Sequence, residues 1–270
     1  MYLDHFKLRE MPFSLTPGTR FLHFSPGHRS AIDHLLFGIR QHKGFIVLVG
    51  EVGSGKTTLC RALLRELEAT FQTALILNPR LSEGQLLRAI LNELGVSDVR
   101  GDLLAMRDRL NAHLLEQAAR GNDVVLIIDE AQTLSPAMLE NIRLLSNLET
   151  EDRKLLQIVL VGQPELRTRL NDHRLRQLRQ RIGVYYYLKG MGPEDTARYV
   201  AHRLSVAGAG EHPRFEPQAL EMVHEFAQGI PRQVNSACDM ALLAAFSRGE
   251  ADVGVAAVRG AVEELQGIGQ

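Results

Sequence analysis

The chain has 270 residues, 45% apolar and 23% charged, a balance that excludes disorder as the default state. Its length is generous for one core and suits a main domain with a smaller companion. A formal charge of −1 excludes a global basic field that would steer the protein to nucleic acid or an anionic membrane.

Residues 1–25 carry Pro12, Pro17, Gly18 and scattered aromatics. They read as an irregular N-terminal arm packing on the core. In residues 26–41 the apolar positions Ile32, Leu35, Leu36 and Ile39 follow helical spacing. FIVLV (45–49) is a continuous apolar run of parallel-strand type. A Gly-rich turn follows, then a helix over 56–70. Strands are expected at 74–78, 124–129, 156–162 and 184–188, and helices at 82–95, 103–120, 136–148 and 165–181. Strands alternating with helices predict an α/β fold, a five-stranded parallel sheet with helices on both faces. After Leu188 the strands stop. Helices are expected at 193–207, 217–228 and 231–248, each with proline near its first turn, and a last one at 255–265. The predicted domains are therefore the arm, an α/β core over 26–189 and a small all-α lid over 190–270.

Cys60 and Cys238 lie far apart, match no zinc spacing and sit in apolar helical patterns. Both are expected to be reduced core residues, which fits a reducing compartment. The first 13 residues lack the apolar core of a signal peptide. No apolar run approaches the roughly 20 residues a spanning helix needs. A cytoplasmic protein without an integral membrane segment is expected.

Gly50-Glu51-Val52-Gly53-Ser54-Gly55-Lys56-Thr57 fits G-x-x-x-x-G-K-[ST]. It follows a predicted buried strand and opens a predicted helix. Glycines let backbone N–H groups approach phosphate oxygens, and a helix N-terminus adds partial positive charge. Lys56 is expected to reach the β- and γ-phosphates of ATP. Thr57 is expected to join a Mg²⁺ shell, with Thr58 next to it in the first helical turn. A lysine that begins a helix opposes the helix dipole unless an anion is nearby.

VVLIIDE ends an apolar strand with Asp129 and Glu130. In a parallel sheet, ligands bind at that C-terminal edge. Asp129 fits a carboxylate that holds Mg²⁺ through water, and Glu130 fits the base that orients the attacking water. Gln163 and Asn78 follow other predicted strands. Gln163 is a candidate for the γ-phosphate or the water, Asn78 for holding Glu130 in an idle position. A turn residue is the plain alternative for each.

Residues 167–181 contain Arg167, Arg169, Arg174, Arg176, Arg179 and Arg181. A solvated helix face accounts for most of them. Arg181, and after it Arg179 or Arg176, sits where a helix end can project to a neighbouring subunit and neutralise transition-state charge in trans. A DNA-facing patch is the other use, but no interleaved aromatics support base stacking. Gly229-Ile230-Pro231-Arg232 opens a helix. A cation in that first turn conflicts with the dipole unless an anion is present, so Arg232 reads as a lid arginine for nucleotide phosphate.

Together these residues resemble the AAA+ ATPases, and within them the general secretion pathway protein A (ExeA/GspA) group. The likeness is carried by PFSLTP (12–17), RFLHFSPGH (20–28), GFIVLVGEVGSGKTTL (44–59), LILNPRLSEGQLLRAI (75–90), LIIDEAQTLS (126–135), VLVGQPEL (159–166), QRI (180–182) and GIPRQVN (229–235). It spans nearly the whole chain. The resemblance implies an ATP-hydrolysing factor that assists assembly of a bacterial secretion, pilus or polysaccharide export system. It implies self-association into a ring or filament, with inner-membrane components as partners. Members often continue into a membrane helix and a peptidoglycan-binding domain. Neither is expected before Gln270, where this sequence stops. The alternative is a DNA-associated AAA+ regulator that selects transposition targets, and a third is a nucleotide-switched scaffold with little turnover.

Overall fold

The computed structural model describes residues 2–14, 19–21, 23–67, 71–96, 101–149 and 154–267. Parts of the arm motifs (15–18) and the expected end of the helix at Thr70 lie outside the described residues. In chain order the elements are α1 (Tyr2–His5), α2 (Pro26–Arg40), β1 (Phe45–Gly50), α3 (Lys56–Leu67), β2 (Phe71–Ile76), α4 (Glu83–Glu93) and α5 (Leu103–Ala119). Then follow β3 (Asp123–Ile128), α6 (Pro136–Leu145), β4 (Leu156–Gly162), α7 (Pro164–Leu170), α8 (Arg176–Gln180) and β5 (Ile182–Leu188). The chain finishes with α9 (Pro193–Val206), α10 (Pro217–Ala227), α11 (Pro231–Ser247) and α12 (Val255–Gly267). Contacts divide it into an α/β unit (His28–Glu51, Lys56–Leu188) and a helical unit (Met1–Gly27, Val52–Gly55, Lys189–Gln270).

In the α/β unit five parallel strands lie in the order β2-β3-β4-β1-β5. Every residue of β1 and β4 is buried. Apart from Gln157, whose side-chain oxygen accepts the Gly44 N–H at 2.9 Å, these strands run apolar without alternation because helices cover both faces. The period-2 pleat sends Ile46 and Leu48 to a face covered by α2 and α3, with Leu35, Leu59 and Leu63. Phe45, Val47 and Val49 face the other layer, where Ile90, Leu110, Leu139 and Leu166 come from α4 to α7. Each such aliphatic side chain, fully buried, contributes about 1.5–3 kcal/mol. Gly38 in α2 lets that helix sit close, since a Cβ there would lie 2.8 Å from Ile46 Cγ1. Cys60 is buried and free in this core, as is Cys238 in the helical unit.

Of the differences from the expected pattern, two bear on the candidate site residues. β2 starts three residues earlier than expected and ends at Ile76 rather than Asn78. It is an edge strand whose Gln72 and Thr73 are half-buried, so its first half lacks an apolar run. Gln72 satisfies itself there by donating to Leu94 O at 2.8 Å. The helix expected over 165–181 is broken into α7, a 3₁₀ turn (His173–Leu175) and α8. Asp172 causes part of the break, because its carboxylate accepts the Arg174 N–H at 2.9 Å and starts a new turn.

The helical unit packs α9 to α12 around Val200, Leu204, Val223, Val234 and Leu242. Proline occupies the first turn of α9, α10 and α11, where the missing N–H costs no helical bond. The arm belongs here, which corrects the expectation that it packs on the α/β core. Its Tyr2, Phe6, Leu8, Phe13 and Phe21 are buried among these helices. The tie is Arg203 on α9, itself buried. Its Nε donates to Pro12 O at 2.5 Å, its Nη2 to Ser14 O at 3.0 Å and its Nη1 to Tyr199 Oη at 2.7 Å. The guanidinium also lies over the Phe21 ring, 5.0 Å from the centroid. Tyr199 passes the network on to Asn235.

Candidate active site

The turn from β1 into α3 sets the first part of the site. Gly53 (φ +81°) and Gly55 (φ +94°) take left-handed conformations that favour glycine. Lys56 begins α3, and its buried ammonium donates to Gly50 O at 2.8 Å and Glu51 O at 2.7 Å. Burial lowers the affinity of this amine for its proton, while the carboxylates of Asp129, Glu130 and Glu51 pull the other way. Val52 is half exposed at the tip of the loop, and Thr58 is half-buried in the first turn of α3. Cys60, one turn behind Lys56, is held as a thiol because burial and Asp129 push its pKa up.

The end of β3 brings the acidic pair to this loop. The Thr57 hydroxyl donates to Asp129 Oδ2 at 2.6 Å. Asp129 Oδ1 accepts the Glu130 N–H at 2.8 Å, and the Asp129 N–H donates to Ile76 O at the end of β2. Asp129 is buried and held from three sides. Glu130 sits at φ +53°, a left-handed conformation that costs a non-glycine residue about 1–3 kcal/mol. The Thr133 N–H and hydroxyl both donate to Glu130 O, at 2.9 and 2.8 Å, and hold that turn. Backbone strain of this kind clusters at functional sites.

Gln163, just beyond β4, donates through Nε2 to Glu130 Oε2 at 3.1 Å. Asn78 does not hold Glu130, which corrects the expectation. Because β2 ends at Ile76, Asn78 falls in the following loop, where its Oδ1 accepts the Arg80 N–H at 3.4 Å. Two contributors escaped the sequence reading. Gln132 donates to Glu130 Oε2 at 2.5 Å. Tyr187 on β5 donates to Glu51 Oε1 at 2.8 Å, and that bond holds its phenol in the protonated form above the usual pH. Val49 pairs with Tyr187 across β1 and β5, a register that only the folded sheet reveals.

The arginines separate. Arg169 donates to Leu134 O, and Arg174 pairs with Asp172, whose pKa drops to about 2. Arg181 caps the end of α8 and donates to Ser146 Oγ at 3.1 Å and to Asn147 Oδ1, both just beyond α6. Arg176 and Arg179 are exposed on α8. Within the helical unit, the Arg232 N–H donates to Gly53 O at 3.3 Å. A Cβ on Gly53 would lie 2.4 Å from Arg232 Cβ, so glycine is required there. Gly229, at φ +67°, makes the turn into α11 and accepts the Met191 N–H at 2.9 Å.

Residues 39–170 match the AAA domain family. The chain is 45% identical over 269 residues to general secretion pathway protein A of Aeromonas hydrophila, covering 99% of this chain. Residues 39–170 thus resemble an AAA domain, and nearly the whole chain is similar to part of general secretion pathway protein A. The chain spans about half (49%) of that relative's length. The fold is also that of the ORC2 protein of Aeropyrum pernix, solved as ADPNP-ADP complexes. That match has a TM-score of 0.68 at 20% identity, over 94% of this chain and 71% of the other. The Cdc6p of Pyrobaculum aerophilum matches at TM-score 0.69 and 19% identity, over 94% and 70%. Among the described residues, no helix is long and apolar enough to cross a membrane.

Proposed function

We propose that this protein is an AAA+ ATPase that binds ATP with Mg²⁺ and hydrolyses it, and that turnover drives conformational change or oligomerisation in assembly of a bacterial envelope export system. The observation that carries the chemistry is the Thr57–Asp129 hydrogen bond at 2.6 Å, with Glu130 in the next position. A hydroxyl and a carboxylate are hard oxygen donors that suit Mg²⁺, which keeps several waters and leans on substrate phosphates. Thr57 would hold the ion directly and Asp129 through water. When bound, the ion neutralises charge on the phosphate oxygens. Residues Gly50, Glu51, Val52, Gly53, Ser54, Gly55, Lys56, Thr57 and Thr58 would cradle the phosphates, and Lys56 would turn an N–H toward the γ-phosphate.

In the reaction, the oxygen of water bonds to the γ-phosphorus as the bond to the ADP oxygen breaks. Glu130 accepts a water proton, and the products are ADP and inorganic phosphate. Gln163 lies beside Glu130 and would help place the water or the γ-phosphate. Arg232 would read phosphate from the helical unit, a role supported by its contact with Gly53. An arginine from the end of α8 would serve a neighbouring subunit. Arg179 is exposed for that task, whereas Arg181 must first leave Ser146 and Asn147.

The export role rests on the similarity to the Aeromonas relative, and with it goes the proposal of a cytoplasmic protein held at the inner membrane through a partner. The test is ATP turnover against protein concentration, with and without duplex DNA. Turnover rising steeply with concentration supports shared sites. Stimulation by DNA that collapses with added salt would move the function to the DNA-associated regulator. Absence of turnover in every condition would remove the hydrolysis reading.

A further inference from the structure

Gln132 is half-buried two residues after Glu130, and its amide has both ends engaged. Nε2 donates to Glu130 Oε2 at 2.5 Å, and Oε1 accepts the Gln163 N–H at 3.1 Å. The second bond fixes which way the amide points. A backbone N–H can only donate, so the oxygen must face Gln163 and the NH₂ must face Glu130. The end of β4 therefore aims the donor that grips the end of β3. Gly162 makes the room. A Cβ there would lie 2.9 Å from Gln132 Oε1, closer than real Cβ atoms come.

Glu130 Oε2 thus receives two amide donors, from Gln132 and from the side chain of Gln163 at 3.1 Å. A carboxylate oxygen has two lone pairs, so Oε2 is filled and Oε1 is the oxygen left to take a proton. The two donors are not equivalent. Gln163 lies just beyond β4, where, on the proposed reading, substrate phosphate would compete for its amide. Gln132 is tied to backbone and stays with Glu130 when Gln163 turns away.

We propose that Gln132 is a positioning residue for hydrolysis: its amide locks one oxygen of Glu130 and presents the other to water. The inference rests on the reading that Glu130 activates water. It acts through Glu130, and its own aim is set by the Gln163 N–H.

The test uses the full chain with four variants: Gln132→Ala, Gln132→Glu, Glu130→Gln and the double variant Glu130→Gln/Gln132→Ala. kcat and KM for ATP are measured beside binding of a fluorescent ATP analogue. Gln132→Ala should lower kcat about 10- to 100-fold, the cost of a misplaced catalytic group, with KM and analogue affinity within about threefold of wild type. Gln132→Glu keeps the shape and the acceptor for the Gln163 N–H but loses the donor and sets a second carboxylate against Glu130. It should lose at least as much, and it decides the matter if Gln132→Ala fails to bind analogue. The double variant should turn over no more slowly than Glu130→Gln alone. Wild-type kcat in Gln132→Glu, or a further loss in the double variant, overturns the proposal while leaving the base reading intact. Full turnover in Glu130→Gln overturns both.

Discussion

The α/β unit sets its candidate catalytic groups at the ends of its elements, while the helical unit encloses Arg203 in its core. Asp129, Glu130 and Gln163 stand where strand becomes loop, Lys56 begins the helix after a glycine-rich turn, and each is held by hydrogen bonds there. Arg203 is enclosed instead, with two arm carbonyls and a tyrosine as acceptors and a phenylalanine ring beneath it. Strand-end groups can change partners without disturbing the sheet. A buried guanidinium cannot, because removing it strands the acceptors that were built around it. The difference separates substitutions that alter chemistry from those that alter folding.

Arg203→Ala is expected to be the most disruptive change to folding, costing about 3–5 kcal/mol by stranding Pro12 O and Ser14 O. Thermal unfolding should show a drop of about 10 °C for a chain of this size. A change under about 2 °C would place Arg203 outside the fold's essential ties. Lys56→Ala should do the opposite. Nucleotide affinity should weaken about 100-fold, the worth of one or two charge-assisted hydrogen bonds, while the melting temperature without nucleotide falls by less than in Arg203→Ala. Isothermal titration and a thermal melt on the same sample would check both halves. The smallest effect is expected at Ser82, away from both networks. Its hydroxyl caps α4 at Gln85 N and the Gln85 side chain caps back to Ser82 N. Ser82→Ala should cost about 1 kcal/mol and leave turnover unchanged. A loss comparable to Arg203→Ala would break the contrast between surface caps and buried ties.

How far the sequence carried the reading follows from the range of each interaction. Lys56, Thr57, Asp129 and Glu130 were readable because a glycine-rich turn and an acidic pair each follow an uninterrupted apolar strand, and a parallel sheet brings such ends together. Asn78 misled because β2 is an edge strand. Gln72 and Thr73 hid its start, so its end was placed two residues late. Gln132 was present in the IDEAQ stretch, but its role depends on the approach of β4 at Gly162, which no local pattern announces. The arm went to the wrong unit for a related reason. Its anchor, Arg203, lies 191 residues from Pro12, and a lone arginine in an amphipathic helix reads as a surface charge. The break at Asp172 was a local signal outweighed by the run of arginines around it.

The central claim is that the loop at Lys56 and the pair Asp129–Glu130 form one hydrolysis site. Single-turnover ATP hydrolysis by wild type and Glu130→Gln, with ATP binding measured on the same preparations, tests it most directly. The account predicts equal binding and a hydrolysis rate about 10²- to 10⁴-fold lower in the variant. Equal rates in the two proteins, or ATP bound by both and hydrolysed by neither, would contradict it.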